Sequence, residues 1–174
     1  MKVAVAVSGA SGAQLGLKTY ELLPEYIEKY LICTQNAKTV LEKENDYSIL
    51  DDKAIWEGPA SGSFGLDALI VAPCSMNTLA KIAVGIADNL TTRAAGVMIK
   101  EQKKLLLAPR ELPFSPIALE NMLKLSRLNV IIAPPVMAYY SNQQTLESME
   151  NFIIGKWFDL LGIKHNLYKR WSNA

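Results

Sequence analysis

A parallel α/β sheet covered by helices on both faces is the fold the sequence predicts, and three observations carry it. Short β-branched runs alternate with amphipathic segments of helical length, no internal repeat or low-complexity linker interrupts the alternation, and no apolar run approaches the ~18 residues of a bilayer span. The chain of 174 residues reads as one domain over 1–174, long enough to bury about 70% of its unfolded surface.

The elements follow in order. The run at 3–7 reads as a first strand, since its apolar stretch is too short for the core of a signal peptide. A helix is expected near 12–23, a second strand at 30–33 and a second helix near 35–44. The stretch 47–65 breaks the pattern: Asp51, Asp52, Trp56, Gly58, Pro59 and the Ser61-Gly62-Ser63 run show no clear periodicity. It reads as an excursion reaching over something. A third strand at 68–72 is stopped by Pro73, and Ser75 stands where an N-cap starts a helix near 76–85. Another helix is expected near 89–101, a strand at 104–108, a helix near 115–127, a strand at 129–133 and a last helix near 145–162.

Charge and composition exclude several functions. Eighteen basic against 17 acidic side chains leave a net charge of +1, with no broad positive field or polybasic arm, so neither nucleic acid nor an anionic membrane is an expected partner. One histidine, His165, with Cys33 and Cys74, cannot build a four-ligand zinc site or any centre needing two histidines. The expectation is a cytoplasmic protein with reduced thiols and no metal.

In open α/β sheets ligands sit beyond the carboxyl ends of the strands, so the residues that each strand runs into matter most. Here they are Ser8 to Gly12, then Thr34-Gln35-Asn36, Pro73 to Thr78, Pro109-Arg110-Glu111, and Pro134-Pro135 leading to Tyr139 and Tyr140. At the first exit Gly9, Gly12 and Gly16 permit close backbone approach and Ser11 can cap a helix whose free N–H groups favour an anion. The spacing is neither G-x-G-x-x-G nor a P-loop, and the second exit lacks the acidic residue that holds a dinucleotide ribose, which favours a mononucleotide. Arg93 and Lys100 lie two helical turns apart, on nearly the face of Val97 and among the apolar neighbours Ala94, Ala95 and Met98. Lys156 falls within a helical stripe of Met149, Phe152, Ile153, Trp157 and Leu160; it either snorkels to water or meets an anion in a pocket.

Beyond these readings, the runs GASGA at 9–13, PASGSF at 59–64, APCSMNTLAKIAVGIADNL at 72–90, TRAA at 92–95, KE at 100–101, APRELPFSPIALENMLKL at 108–125 and PPVMAYYSNQQTLE at 134–147 resemble the UbiX-type flavin prenyltransferases. The resemblance spans nearly the whole chain. It implies a three-layer, Rossmann-like, flavodoxin-type and mostly parallel sheet that binds FMN. The implied activity joins a dimethylallyl group from dimethylallyl monophosphate to N5 and C6 of reduced FMN, without a metal. The product serves UbiD-type decarboxylases, and the family is typically a homododecamer with active sites at subunit contacts.

Residue by residue, the resemblance assigns FMN binding to Ala10, Ser11, Gly12, Thr34, Ser75, Met76, Asn77, Thr78 and Arg110. It assigns the prenyl phosphate to Arg93, Lys100, Tyr140 and Lys156, and the chemistry to Glu44, Glu111 and Trp56, with Trp171 lining or closing the pocket. Three positions depart from the pattern. Asn77 replaces a frequent Lys or Gly, the segment before Trp56 is short, and Lys156 stands where Arg is frequent, which keeps the charge but loses the bidentate fork. Two alternatives share the fold: an FMN-dependent decarboxylase of cysteinyl substrates, which relies on an early histidine that this chain lacks, and a non-catalytic FMN carrier or accessory subunit. Trp157, Phe158 and Trp171 offer apolar surface for oligomer contacts, and His165 is expected at the surface.

Overall fold

Six parallel strands form one sheet in the order β3-β2-β1-β4-β5-β6 in the computed structural model, where β1 is Lys2–Val7, β2 Glu28–Cys33, β3 Ile49–Asp51, β4 Ala68–Cys74, β5 Lys104–Pro109 and β6 Ile131–Ile132. The structure describes residues 1–8, 12–33, 49–141 and 143–170. The helices among them are α1 (Ala13–Glu21), α2 (Met76–Val84), α3 (Leu90–Lys100), α4 (Pro116–Ser126) and α5 (Leu146–Leu161). The helix expected near 35–44 lies outside the described residues. Two compact units result, Met1–Pro134 with the sheet and α1 to α4, and Pro135–Ala174 with α5.

All five expected strands are present, and a sixth, β3, emerges from the segment read as an excursion. It pairs Ile49 to Asp51 with Leu31 to Cys33 at the sheet edge, and three residues are too few to show a period in sequence. Without that edge strand the order is that of a flavodoxin-type sheet; with it, that of the doubly wound Rossmann sheet. The expected strand at 129–133 shrinks to two residues because Asn129 takes φ 61 and Val130 donates its N–H back to Leu125 O at 3.2 Å, closing the end of α4.

Both faces of the central strands are buried, which is why they read as continuous apolar runs rather than alternating ones. Ala4, Ala6, Leu69, Val71, Leu105 and Leu107 share a core with Leu79 and Ile82 of α2, Leu90, Ala94 and Met98 of α3, and Met122 and Leu125 of α4. On the opposite face α1 presses so close that a Cβ on Gly16 would stand 1.9 Å from Ala72 O and 2.9 Å from Val7 Cγ2. Gly16 therefore serves helix–sheet packing, not the ligand approach expected of it. Each large aliphatic side chain removed from water adds about 1.5–3 kcal/mol, so this two-faced core fixes the strand ends.

In the second unit α5 begins at a capping box, where Thr145 Oγ1 accepts from Ser148 N and Ser148 Oγ from Thr145 N, both at 3.1 Å. It ends at Gly162, φ 72. Its buried side is Phe152, Ile154, Gly155, Trp157, Phe158 and Leu161, whereas Leu160 and Lys156 are exposed. Of the expected stripe Phe152 and Trp157 are buried, Met149 and Ile153 are half-buried and Leu160 is exposed, so the buried side is turned toward Ile154, Phe158 and Leu161. Trp157 and Phe158, 2% and 0% exposed, are interior residues and do not supply the oligomer surface expected of them.

Candidate functional site

The sheet order reverses between β1 and β4, where adjacent connections leave in opposite directions and open a crevice beyond the strand ends. Ser8 follows β1 and is tied across it, its Oγ donating to Pro73 O at 3.1 Å and accepting from Ser75 N at 3.1 Å. Arg110 N donates to Cys74 O at 3.4 Å, which extends the connection to β5. The exits of three neighbouring strands are therefore stitched into one rim.

Gly12, rather than Ser11, is the N-cap residue of α1, with φ 82. It has no side chain to occupy the helix N–H groups, and no acidic residue stands in the first turn. A Cβ here would lie 3.3 Å from both Cδ and Nε of Arg110 and 3.9 Å from Pro73 Cγ. Gly12 thus leaves room for the Arg110 side chain to pass over the helix start. At the β4 exit Ser75 caps α2, accepting from Thr78 N at 3.2 Å and donating to Thr78 Oγ1 at 3.0 Å. Thr78 is buried in that cap, Met76 packs against the core and Asn77 is exposed. Burial pushes the Cys74 thiol up to about 12, so it stays protonated and is no nucleophile.

These features fit the phosphate of a mononucleotide such as FMN. A helix start that no side chain caps among the described residues, a glycine whose Cβ would fill the cradle and a guanidinium laid across it are the chemistry an anion requires. Glu111 follows on the same rim, exposed, with Oε1 accepting from Leu112 N at 3.3 Å.

A second group lies on the turn after β3 and on α3. Trp56 is 80% exposed on a turn built by Ala54 N to Asp51 O at 2.8 Å and Glu57 N to Ala54 O at 3.0 Å. Arg93 and Lys100 share the exposed side of α3, while Ala94, Ala95 and Met98 point into the core. The side chains of Ala94, Ala95 and Met98 thus turn away from that of Arg93. Lys100 Nζ pairs with Glu101 at 3.0 Å, an exposed pair worth at most about 1 kcal/mol and easily surrendered to a phosphate. Sequence reasoning missed Asp52, a buried carboxylate that joins the Trp56 turn to the start of α3.

In the second unit Tyr140 is 74% exposed, with its ring edge-on to Phe152 at 6.0 Å between centroids. Lys156 is exposed, so no charge is buried there. His165 is not a surface residue: its side chain is 2% exposed. Leu167 N donates to its Nδ1 at 3.1 Å, which leaves the proton on Nε2 to donate to Asp159 Oδ1 at 3.1 Å. Asp159 also accepts from Arg170 Nη2 at 2.7 Å and from the Tyr168 hydroxyl. Burial works to raise the Asp159 carboxyl, but the donors Arg170, Tyr168 and His165 outweigh it and hold it down at about 2. The Tyr168 and His165 rings close over Gly155, where a Cβ would lie 2.5 Å from the Tyr168 ring. Ala10, Ser11, Thr34, Glu44 and Trp171 lie outside the described residues.

Comparison with known proteins bears on this geometry. The family model described as Flavoprotein matches residues 1–156. The chain is 51% identical to the flavin prenyltransferase UbiX of Campylobacter jejuni subsp. jejuni serotype O:2, with 99% of this chain and 100% of that protein covered. Among solved structures it is similar to the dodecameric FMN-dependent UbiX-like decarboxylase from Escherichia coli O157:H7, at 39% identity and a TM-score of 0.90 over 99% of this chain and 100% of that one. The crystal structure of AnUbiX (PadA1) in complex with FMN and dimethylallyl pyrophosphate matches at 35% identity and a TM-score of 0.90, covering 99% and 98% of the two chains.

Proposed function

Because the chain belongs to the UbiX-type flavin prenyltransferases of the flavoprotein family, we propose that it transfers a dimethylallyl group from dimethylallyl monophosphate to N5 and C6 of reduced FMN. The observation that carries this reading is the rim of Ser8, Gly12, Ser75 and Arg110 at the reversal of strand order, in a chain similar along its length to a protein crystallised with FMN and a dimethylallyl diphosphate. Gly12, Ser75, Met76, Asn77, Thr78 and Arg110 are proposed to hold FMN, together with Ala10, Ser11 and Thr34. When bound, reduced FMN supplies the nucleophilic N5 and C6 positions.

The residues' own tasks follow from the charge the reaction develops. The allylic C–O bond breaks, phosphate leaves with the bonding pair, and positive charge spreads over the allyl carbons. Arg93, Lys100 and Lys156 are proposed to stabilise the departing phosphate, and Tyr140 to donate a hydrogen bond to it. The exposed face of Trp56 suits the allyl cation. Glu111 and Glu44 are proposed as proton-transfer groups: protons leave N5 and C6, one is returned to the dimethylallyl double bond, which is consumed as the second carbon bond forms, and the other leaves with the phosphate. Glu111 stands exposed on the rim and accepts the N–H of Leu112.

A cysteinyl decarboxylase reading lacks support, because the chain's one histidine is occupied by Asp159 beyond α5. The proposed product acceptor is a UbiD-type decarboxylase, the proposed assembly a homododecamer and the proposed location the cytoplasm. No described helix is long and apolar enough to cross a membrane.

Mass spectrometry of the flavin after anaerobic incubation with reduced FMN and dimethylallyl monophosphate, without added metal, tests the activity. The expected product is heavier by one isoprene unit; unchanged flavin with both the monophosphate and the diphosphate overturns the proposal. Glu111→Gln is expected to keep FMN affinity while slowing product formation about 100-fold, and an undiminished rate removes Glu111 from the chemistry.

A further inference from the structure

Asp52 has every polar group of its residue committed, one to the end of β2 and three to the start of α3. It follows β3 directly, with its N–H donating to Cys33 O at 3.1 Å, and so is fixed to the sheet edge. Its carbonyl accepts from Leu90 N at 2.7 Å. Carboxylate Oδ1 accepts from Thr91 N at 2.9 Å and Thr91 Oγ1 at 2.5 Å, and Oδ2 accepts from Asn89 Nδ2 at 2.8 Å. The residue is 5% exposed, and a buried carboxylate facing the first turn of a helix is stabilised by those donors and by the helix dipole.

The network is directional. Asn89 Oδ1 is already the N-cap acceptor of α3, taking Thr92 N at 2.8 Å and Thr92 Oγ1 at 2.6 Å. Its amide therefore cannot turn over without losing the cap, and its Nδ2 must meet an acceptor at position 52. An asparagine there would set an amide donor against that donor. The clamp joins two segments 37 residues apart. Trp56 stands four residues beyond Asp52 on a hydrogen-bonded turn, and Arg93 two residues beyond Thr91 on α3.

We infer that Asp52 is a positioning residue for prenyl transfer, clamping the turn that carries Trp56 to the helix start that carries Arg93. The inference rests on the proposed reading of those two side chains as the allyl-cation and phosphate partners. Cleavage of the allylic bond develops opposite charges on two parts of one small substrate. The stabilising groups must keep their spacing as that happens, and small misplacements of such groups are costly in rate.

The test uses the full-length FMN-loaded oligomer and its Asp52→Asn variant. Asp52→Asn is expected to lower kcat/KM for dimethylallyl monophosphate about ten-fold with an unchanged Kd for FMN, and to speed hydrogen exchange at the Leu90 and Thr91 amides. In a Trp56→Ala background the same substitution is expected to cost less than about two-fold. Thr91→Val, which removes only the hydroxyl donor, gives the same pattern at smaller amplitude and serves if Asp52→Asn does not fold. An unchanged kcat/KM in Asp52→Asn, a loss of equal size in both backgrounds, or a parallel loss of FMN affinity overturns the inference. If Trp56→Ala and Arg93→Ala themselves leave transfer unchanged, the reading of those residues falls and the inference with it. If they slow transfer while Asp52→Asn does not, only the role of Asp52 falls.

Discussion

Two glycines show how differently one residue type can be used. Gly16 lets α1 approach β4 until a Cβ would collide with a backbone oxygen, whereas a Cβ on Gly96, on the exposed side of α3, meets nothing within 4 Å. Gly16→Ala is therefore expected to destabilise the protein by about 3 kcal/mol or more, because the helix must lift off the sheet. Gly96→Ala is expected to stabilise it by about 0.5–1 kcal/mol, the helix-interior difference between the two residues. Urea midpoints of the two variants check both, and a Gly16→Ala midpoint equal to wild type would refute the packing account. In sequence the two glycines look alike, since each stands in an amphipathic segment. What separates them is the distance to Ala72, a residue 56 positions from Gly16 in the chain and adjacent only after the sheet has formed.

At the scale of elements, helical spacing located α3 and α5 correctly and oriented the first fully but the second only in part. The spacing of Arg93 and Lys100 put both on one side of α3, and that side is exposed. In α5 apolar residues stand on several sides; burial kept Phe152 and Trp157 of the expected stripe and took Ile154, Phe158 and Leu161 in place of Met149, Ile153 and Leu160. The segment after α5 helps decide this, because Tyr168 and His165 fold back over Gly155 and converge on Asp159. That cluster has a pH signature. Asp159 falls from an ordinary 3.8 to about 2 in the folded protein. A depressed folded value stabilises above the unfolded one, so its contribution is full above about pH 4 and is lost as pH drops toward 2. The stability difference between wild type and Asp159→Asn is expected to shrink over that window, as read from urea unfolding at stepped pH. A constant difference would show that the carboxylate's charge contributes nothing.

The whole molecule leaves an apolar face open. Leu119 and Leu123 of α4, which share one side of the helix, are each more than half exposed, an apolar pair of the kind that serves protein–protein contact. A dodecamer is the assembly named for the similar Escherichia coli structure, and α4 is proposed to contribute to it here. Leu119→Lys combined with Leu123→Lys, one helical turn apart, is expected to yield smaller species in sedimentation velocity. A fully retained dodecamer would exclude α4 from the contacts.

The amino-acid order by itself determined the alternation of strands and helices, the polar strand exits, the Ser75 cap and the motif runs shared with the family. All of these are written in residues close together in the chain, within the periods of 2.0 and 3.6 that set which face a side chain takes. The tertiary structure decided what depends on distant partners. It added β3 by pairing it with β2, moved the α1 cap to Gly12, turned His165 inward and gave Asp52 its clamp on Asn89 and Thr91. A hydrogen bond or a collision between residues tens of positions apart leaves no local pattern, so only the packed sheet and its helices can select it.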